Sequence, residues 1–192
     1  EWLEQQDADG ITMRQAMQHA GLAIDDIAAL RRNPADYLGF IEVHIEQGPV
    51  LNELNLPLGI VTSINASVRY VGEYVGQASH AGTTPMNRRR DAAVAAAELM
   101  LYAESRAAAD EGSVATVGIL NVPSGSLNVV PGRCDFSLDL RAPTNAQRNA
   151  LVADIKAQAE RIATRRRVSL VLEETMVASA APSDPALQAR WE

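Results

Sequence analysis

The central part of the sequence predicts an α+β fold, a ferredoxin-like sandwich in which a four-stranded antiparallel sheet carries two helices on one face. Three observations predict it. Four segments have the apolar pattern of strands, two alanine-rich segments have the spacing of helices, and the six follow the order strand, helix, strand, strand, helix, strand.

The strands are predicted mainly from a two-residue period. In residues 67–77, Val68, Tyr70 and Tyr74 share one face of an extended chain. Residues 114–120 are almost continuously apolar, as in a strand buried on both faces. In residues 133–141 the side chains of one face are Cys134, Phe136, Leu138 and Leu140. A last strand is predicted over residues 168–172.

Two helices connect these strands. Residues 91–104 are rich in alanine, and we expect Val94 and Leu101 to lie in the apolar stripe of this helix. Thr144 and Gln147 have the spacing of a capping box, which predicts the start of the second helix. The buried face of that second helix is expected to contain Leu151, Ile155 and Ile162.

The flanks differ in character from the sandwich, and we expect three parts: residues 1–58, the sandwich at 59–176, and residues 177–192. The flanks are interpreted as pieces of another domain into which the sandwich is inserted. Because the chain starts at Glu1 without a methionine, we also expect it to be a fragment of a longer protein.

The first part carries a predicted helix, opened by a capping box of Thr12 and Gln15. It also carries a predicted strand over residues 40–46, in which His44 projects from an otherwise apolar run that Pro49 follows. A neutral imidazole at a strand end can ligate a metal, but it can equally be a structural residue that donates to a backbone carbonyl.

Composition excludes several classes of protein. The 17 basic and 24 acidic side chains give a net charge of −7, which argues against a nucleic-acid partner. The single cysteine, Cys134, excludes an internal disulfide and favours a reducing cytoplasmic location. No apolar run reaches the length of a membrane span, so no membrane partner is expected.

The loop Ser79–Pro85 is dense in polar and turn-forming residues and carries His80 among small neighbours. An accessible imidazole there could donate a hydrogen bond to a developing oxyanion, or it could simply face solvent. Arg88–Arg90 follow at the expected start of a helix, where they are either solvated or paired with Asp91 and other acidic residues.

Asn128 and Arg141 are a second pair of candidates. Asn128 lies in the turn-rich segment 126–132, and Arg141 ends the strand after it. An amide and a guanidinium together suit a carboxylate and a carbonyl or ureido group. The alternatives are turn geometry for Asn128 and a salt bridge from Arg141 to Asp139 or Asp135.

Taken together, these motifs resemble the N-carbamoyl-L-amino-acid hydrolases and allantoate amidohydrolases, which belong to the di-metal exopeptidase superfamily. The resemblance covers essentially the whole chain, and its five motifs stand in the same order and spacing. They are H-I-E-Q-G-P (44–49), S-H-A-G-T-T-P-M (79–86), R-R-D-A (89–92), L-N-V-V-P-G (127–132) and F-S-L-D-L-R (136–141).

The resemblance implies that the sandwich is a lid, or dimerisation, domain inserted into a metal-binding α/β catalytic domain, and that the protein is a homodimer. His44 then corresponds to a ligand of one of two divalent metals, zinc or manganese, and Gln47 to a substrate contact beside it. His80 corresponds to a histidine that reaches the partner subunit's active site and stabilises the oxyanion. Asn128 and Arg141 correspond to substrate-binding residues, with Arg141 on the carboxylate.

The implied reaction is hydrolysis of a linear ureido C–N bond. Two departures qualify it. Ser67 stands where the family often has a glutamine associated with the substrate, which argues against allantoate. The other metal ligands and the general base are missing, so we expect the chain to hold no metals and to be inactive alone. The alternatives are a peptidase or aminoacylase of the same superfamily, and a non-catalytic dimerisation module.

Overall fold

The computed structural model describes residues 2–191, and the chain divides into two compact units, one up to Pro57 and one from Leu58 onward. Each unit is described by itself. The predicted limits at 58 and 176 stay predictions about the domains of the protein.

The first unit contains only short helices. Helix α1, Met13–His19, starts as predicted, because the Thr12 hydroxyl accepts from the Gln15 amide and the Gln15 side chain accepts from the Thr12 amide. Helix α2 is Val50–Glu53. Three further stretches form 3₁₀ turns, and these are Trp2–Glu4, Ile24–Leu30 and Pro34–Asp36.

The strand predicted around His44 is wrong for this structure. Residues 40–46 form no ladder with any of residues 2–191, and their apolar side chains are exposed, Val43 to 94% and Ile45 to 75%. An isolated extended segment has no partner for its amide and carbonyl groups, so its alternating pattern alone cannot make it a strand. The end of the segment is fixed to helix α2, because the Glu46 carboxylate accepts hydrogen bonds from two amides of the first turn of that helix.

The second unit contains all the strands. They are β1 (Ser63–Ile64), β2 (Ala66–Val75), β3 (Ser79–His80), β4 (Val114–Thr116), β5 (Leu120–Asn121), β6 (Val129–Val130), β7 (Arg133–Ala142), β8 (Ser169–Ala178) and β9 (Ala181–Pro182). Its helices are α3 (Ala92–Ala108), α4 (Asn145–Arg166) and α5 (Pro185–Gln188), with a 3₁₀ turn at Met86–Arg88. None of the helices within residues 2–191 has the length and apolarity needed to cross a membrane.

The main sheet is antiparallel, with the strand order β4-β7-β2-β8 and with β5 beside β4 on the outer side of β7. Strands β2 and β7 pair along their whole length, from Ala66 opposite Ala142 to Val75 opposite Arg133. The fold class is therefore as predicted, an α+β sandwich. The predicted strand 114–120 is interrupted between β4 and β5, and the last strand continues to Ala178 rather than ending at 172.

The core lies between this sheet and the helices α3 and α4. Strand β7 contributes alternate side chains as predicted, and Leu151, Ile155 and Ile162 of α4 are fully buried. The predicted stripe of α3 is wrong, since Val94 is 43% and Leu101 66% exposed. The buried stripe of α3 consists mainly of alanines, which let the two helices approach closely, and its members are Ala92, Ala95, Ala96, Leu99, Ala103 and Ala107.

One charged side chain is buried where the chain enters and leaves the sandwich. Arg148, on the first turn of α4, donates from Nη1 to the carbonyl of Ser67 at 2.9 Å and to that of Ala178 at 3.1 Å. These two carbonyls are register partners at the ends of β2 and β8. The guanidinium therefore fastens the helix to both connecting strands.

Candidate active site

His80 and Asn128 are brought together by a small sheet. Strand β3 pairs with β6, so that His80 lies opposite Val129, and the amide of Ala81 donates to the carbonyl of Asn128 at 2.9 Å. Both residues are exposed, and both lie beyond the end of β2 that carries Val75. Two loops that are distant in sequence are thus held against each other through their backbones, one carrying the imidazole and the other the amide.

The His80 ring has a defined tautomer. The Gly82 amide donates to Nδ1 at 3.1 Å, so Nδ1 must be the acceptor nitrogen of a neutral ring and Nε2 must carry the proton. A Cβ atom on Gly82 would lie 3.2 Å from Cε1 of His80, so glycine allows this turn to sit closely on the ring. The Nε2–H group remains as a hydrogen-bond donor to solvent or to a ligand.

The Asn128 side chain is oriented by its own loop. The Ser126 hydroxyl donates to Oδ1 of Asn128 at 3.0 Å. With Oδ1 so engaged, the amide NH₂ group is the donor that points away from this contact. The turn geometry considered from the sequence is thus present, and it holds the amide in one orientation.

Arg141 is engaged in the salt bridge that the sequence left as an alternative. Its Nε and Nη2 atoms donate to the two oxygens of Asp139, each at 2.8 Å, and Arg69 donates to the same carboxylate at 3.0 Å. The hydrogen bond from Arg141 is the main cause that lowers the pKa of Asp139, and the same bond raises the pKa of Arg141. Two cations share one carboxylate, so this cluster retains a net positive charge.

Arg141 does not converge with His80 and Asn128 inside one chain. The β3–β6 pair adjoins the Arg133 end of β7, since the Gly76 amide donates to the Gly132 carbonyl. Arg141 is eight residues further along this strand, which corresponds to about 26 Å. A small substrate cannot contact both places on one copy of the sheet.

His44 and Gln47 lie in the first unit, and both are exposed. Nδ1 of His44 is 2.5 Å from the carbonyl oxygen of Ile45, and because a carbonyl only accepts, this nitrogen is the donor. The lone pair of the ring is therefore on Nε2, as in a metal-ligating histidine. Gln47 has φ +54°, the left-handed conformation that turns the chain between His44 and helix α2.

A metal centre is not completed by the described residues. Residues 2–191 contain no group of three or more histidine, cysteine, aspartate or glutamate side chains that could hold a metal ion. A single imidazole does not retain a catalytic divalent metal, which needs at least three protein ligands. The residues present therefore do not fit the metal site that the sequence motifs imply.

Sequence analysis did not identify Arg89 as a functional residue. It predicted that the side chain is either solvated or paired with acidic residues. Its guanidinium instead donates to the backbone carbonyls of Ala81 and Thr84, on either side of the turn that contacts His80. Asp91, the expected ionic partner, caps helix α3 by accepting from Val94. The only signal in the sequence was the motif R-R-D-A, which does not say where the guanidinium binds.

Comparison with known proteins gives the relatives of this fold. The family model described as the peptidase dimerisation domain matches residues 62–167, which is more than half of the chain. The N-carbamoyl-L-amino acid amidohydrolase of Geobacillus stearothermophilus is 42% identical over 173 residues, covering 90% of this chain and 42% of that protein. The allantoate deiminase of Arabidopsis thaliana is 33% identical and covers 96% of this chain and 39% of that protein.

The solved structures agree. A hydantoinase/carbamoylase family amidase from Burkholderia multivorans superposes with a TM-score of 0.80 at 31% identity, over 98% of this chain and 45% of that one. The chain thus spans about two fifths of the length of the relatives it matches. By its sequence and its fold, the chain belongs to the peptidase dimerisation domain family and resembles the corresponding part of N-carbamoyl-amino-acid and allantoate hydrolases.

Proposed function

We propose that this chain belongs to an amidohydrolase that cleaves the linear ureido C–N bond of N-carbamoyl-L-amino acids or related ureido acids. The sandwich serves as the lid that contacts the substrate and joins two copies of the protein. The observation that carries this proposal is the β3–β6 pair, which holds the loop of His80, whose Nδ1 accepts from Gly82, against the loop of Asn128. The names of the relatives supply the reaction class.

His80 is proposed to stabilise the transition state. When water adds to a carbamoyl carbon, negative charge develops on its oxygen, and a fixed N–H donor lowers the barrier by binding that charge. The bond from Gly82 keeps the proton on Nε2, so the donor is in place before the substrate arrives. Removal of a donor of this kind lowers kcat by about 100- to 1,000-fold.

Arg141 is proposed to hold the substrate carboxylate. Its partner Asp139 is also bound by Arg69, so a second carboxylate meets a cluster with one net positive charge. Ser67 is the register partner of Arg141 on β2, which places the residue that departs from the family pattern beside this clamp. We therefore propose N-carbamoyl-L-amino acids, rather than allantoate, as the preferred substrates.

The separation of about 26 Å along β7, between the end that adjoins the β3–β6 pair and Arg141, favours two copies acting at one substrate. We propose that His80 and Asn128 of one subunit act on the substrate whose carboxylate is held by Arg141 of the other subunit. The homodimer is then required for activity, because neither copy alone surrounds the substrate with all three side chains.

Metal dependence is also a proposal. His44, with its Nδ1–H on a backbone carbonyl, would contribute Nε2 to a zinc or manganese site, and Gln47 would contact the substrate beside it. The metals, if held there with ligands from outside this chain, would supply Lewis-acid chemistry to the substrate carbonyl and to water. Since residues 2–191 hold no further ligand cluster, we expect the chain by itself to bind no metal and to be inactive.

A cytoplasmic location is predicted only from the single cysteine and stays a prediction.

The test is an activity measurement on the product of the complete reading frame that encodes this chain, purified with zinc or manganese. We expect release of free amino acid from N-carbamoyl-L-amino acids, with slower turnover of allantoate. The Arg141→Ala variant should raise KM by at least about tenfold, whereas the control Arg133→Ala, on the same face of β7, should not. Cleavage of N-acyl amino acids or dipeptides with no turnover of carbamoyl substrates would instead favour an aminoacylase or a peptidase.

A further inference from the structure

We propose that Arg89 is a positioning residue for His80, which it controls through the backbone of the turn 80–84. This inference rests on the proposed function for its catalytic consequence, but its structural part stands independently. The guanidinium of Arg89 binds two backbone carbonyls of this turn, and an amide of the same turn binds the ring of His80.

The guanidinium spans the turn. Its Nη2 donates to the carbonyl of Ala81 at 2.6 Å, and its Nε donates to the carbonyl of Thr84 at 3.1 Å. The Thr84 amide in turn donates to the carbonyl of His80 at 3.1 Å. The side chain of Arg89 is half-buried, so these bonds are partly shielded from water.

The turn then sets the ring. Gly82 lies between the two carbonyls that Arg89 binds, and its amide is the donor to Nδ1 of His80. If the turn opens, this amide moves away and Nδ1 loses the bond that makes it the acceptor. The proton of a neutral imidazole can then reside on either nitrogen, and the donor on Nε2 is present for only part of the time.

The charge of Arg89 is not used in an ion pair. Within residues 2–191 no salt bridge includes Arg89, and its hydrogen bonds go to backbone carbonyls. The planar fork of a guanidinium can bind two carbonyls at once in fixed geometry, which a lysine ammonium cannot do. Arg88, its neighbour, is exposed and has no side-chain hydrogen bond among the described residues, so it is the matched control.

The first test is the tautomer of His80 in the chain itself. Long-range ¹H–¹⁵N correlation spectra distinguish Nδ1–H from Nε2–H, and a His80→Gln variant identifies the His80 signals. Spectra are recorded well above the ordinary imidazole pKa of about 6.5, where the ring is neutral. We expect the Nε2–H form in the wild-type chain and in Arg88→Lys, and a mixture of both tautomers in Arg89→Lys. An unchanged tautomer in Arg89→Lys would overturn the proposal.

The second test separates positioning from general stability. Exchange of the Gly82 amide with solvent should become at least about tenfold faster in Arg89→Lys, while exchange in the core strand β7 stays unchanged. In the product of the complete reading frame, Arg89→Lys should lower kcat at least about tenfold with little change in KM, because His80 acts on the transition state.

The outcomes distinguish the two proposals. If the complete protein hydrolyses no ureido acid but the tautomer shifts in Arg89→Lys, the proposed function fails and the positioning role holds. If kcat falls in Arg89→Lys while the tautomer and the Gly82 exchange rate are unchanged, the positioning role is refuted and the proposed function is untouched.

Discussion

Replacement of Arg148 by methionine removes the only cation among the buried side chains described here while keeping most of the apolar stem. Three hydrogen bonds from a charged donor are lost. Those to the carbonyls of Ser67 and Ala178 contribute about 1.5–3 kcal/mol each, whereas the one to the exposed Asn149 side chain is replaced by water. The desolvation of a buried guanidinium, which costs several kcal/mol, is relieved at the same time. We expect the free energy of unfolding of the second unit to fall by about 2–3 kcal/mol.

The assay is a urea titration followed by the amide NMR signals of β2 and β8, which report on the second unit alone. Arg161→Met is the matched control, because Arg161 lies on the same helix and is exposed, with its guanidinium on Gln158 one turn away. The control should change the free energy of unfolding by less than about 0.5 kcal/mol. If Arg148→Met and Arg161→Met had equal effects, the junction would not stabilise the sandwich as argued.

Three further predictions concern the core and can be checked on the same chain. Leu151→Ala should lower the free energy of unfolding by about 2–5 kcal/mol, because Leu151 is fully buried, whereas exposed Leu101→Ala should change it by less than about 0.5 kcal/mol in the same titration. Burial and the bond to Glu174 raise the pKa of Tyr70 to about 12, so the folded state holds this proton more tightly than the unfolded chain, whose pKa is about 10. The stabilisation is complete below about pH 10 and is lost as the pH rises toward 12, and Tyr70→Phe should reduce this dependence in unfolding curves recorded across that range. Burial raises the pKa of the Cys134 thiol, so a thiol reagent should label it only on unfolding; rapid labelling of the native chain would contradict its burial.

The alternation of β2 and β7 predicted the sheet because both strands have one face against helices and one face open. The same reasoning failed for α3, where the side chains of Val94 and Leu101 are exposed, whereas alanines and Leu99 form the buried stripe. Alanine carries little signal in a hydrophobic pattern, yet a helix that packs closely on its neighbour buries its smallest residues. The stripe therefore could not be read from hydrophobicity alone.

The strand prediction around His44 was wrong for a different reason. Its alternating pattern describes a strand only when neighbouring strands bind its backbone, and the chain itself provides none among the described residues.

The candidate site was predictable as a set of residue types but not as a geometry. Motifs pointed to His80, Asn128 and Arg141, but no local pattern showed which of them lie near one another. The pairing of β3 with β6 and the length of β7 decide that the loop of His80 adjoins the loop of Asn128 and lies far from Arg141, and such long-range pairing leaves no local trace in the sequence. The hydrogen bonds of Arg89 to backbone carbonyls could not be predicted from the sequence either. Every loop residue has a carbonyl group, so the sequence does not indicate which ones a guanidinium binds.

The most direct test of the account is a subunit-mixing experiment with the complete protein. His80→Ala and Arg141→Ala variants, each expected to retain no more than about a tenth of wild-type activity at substrate concentrations well below KM, are unfolded together in equal amounts, refolded as mixed dimers and assayed at such a concentration. If His80 of one subunit and Arg141 of the other act on one substrate, each mixed dimer keeps one intact site, and activity should recover to about a quarter of wild type. If both residues act from the same subunit, no mixed dimer has an intact site, and the absence of recovered ureido-acid hydrolysis would contradict the account.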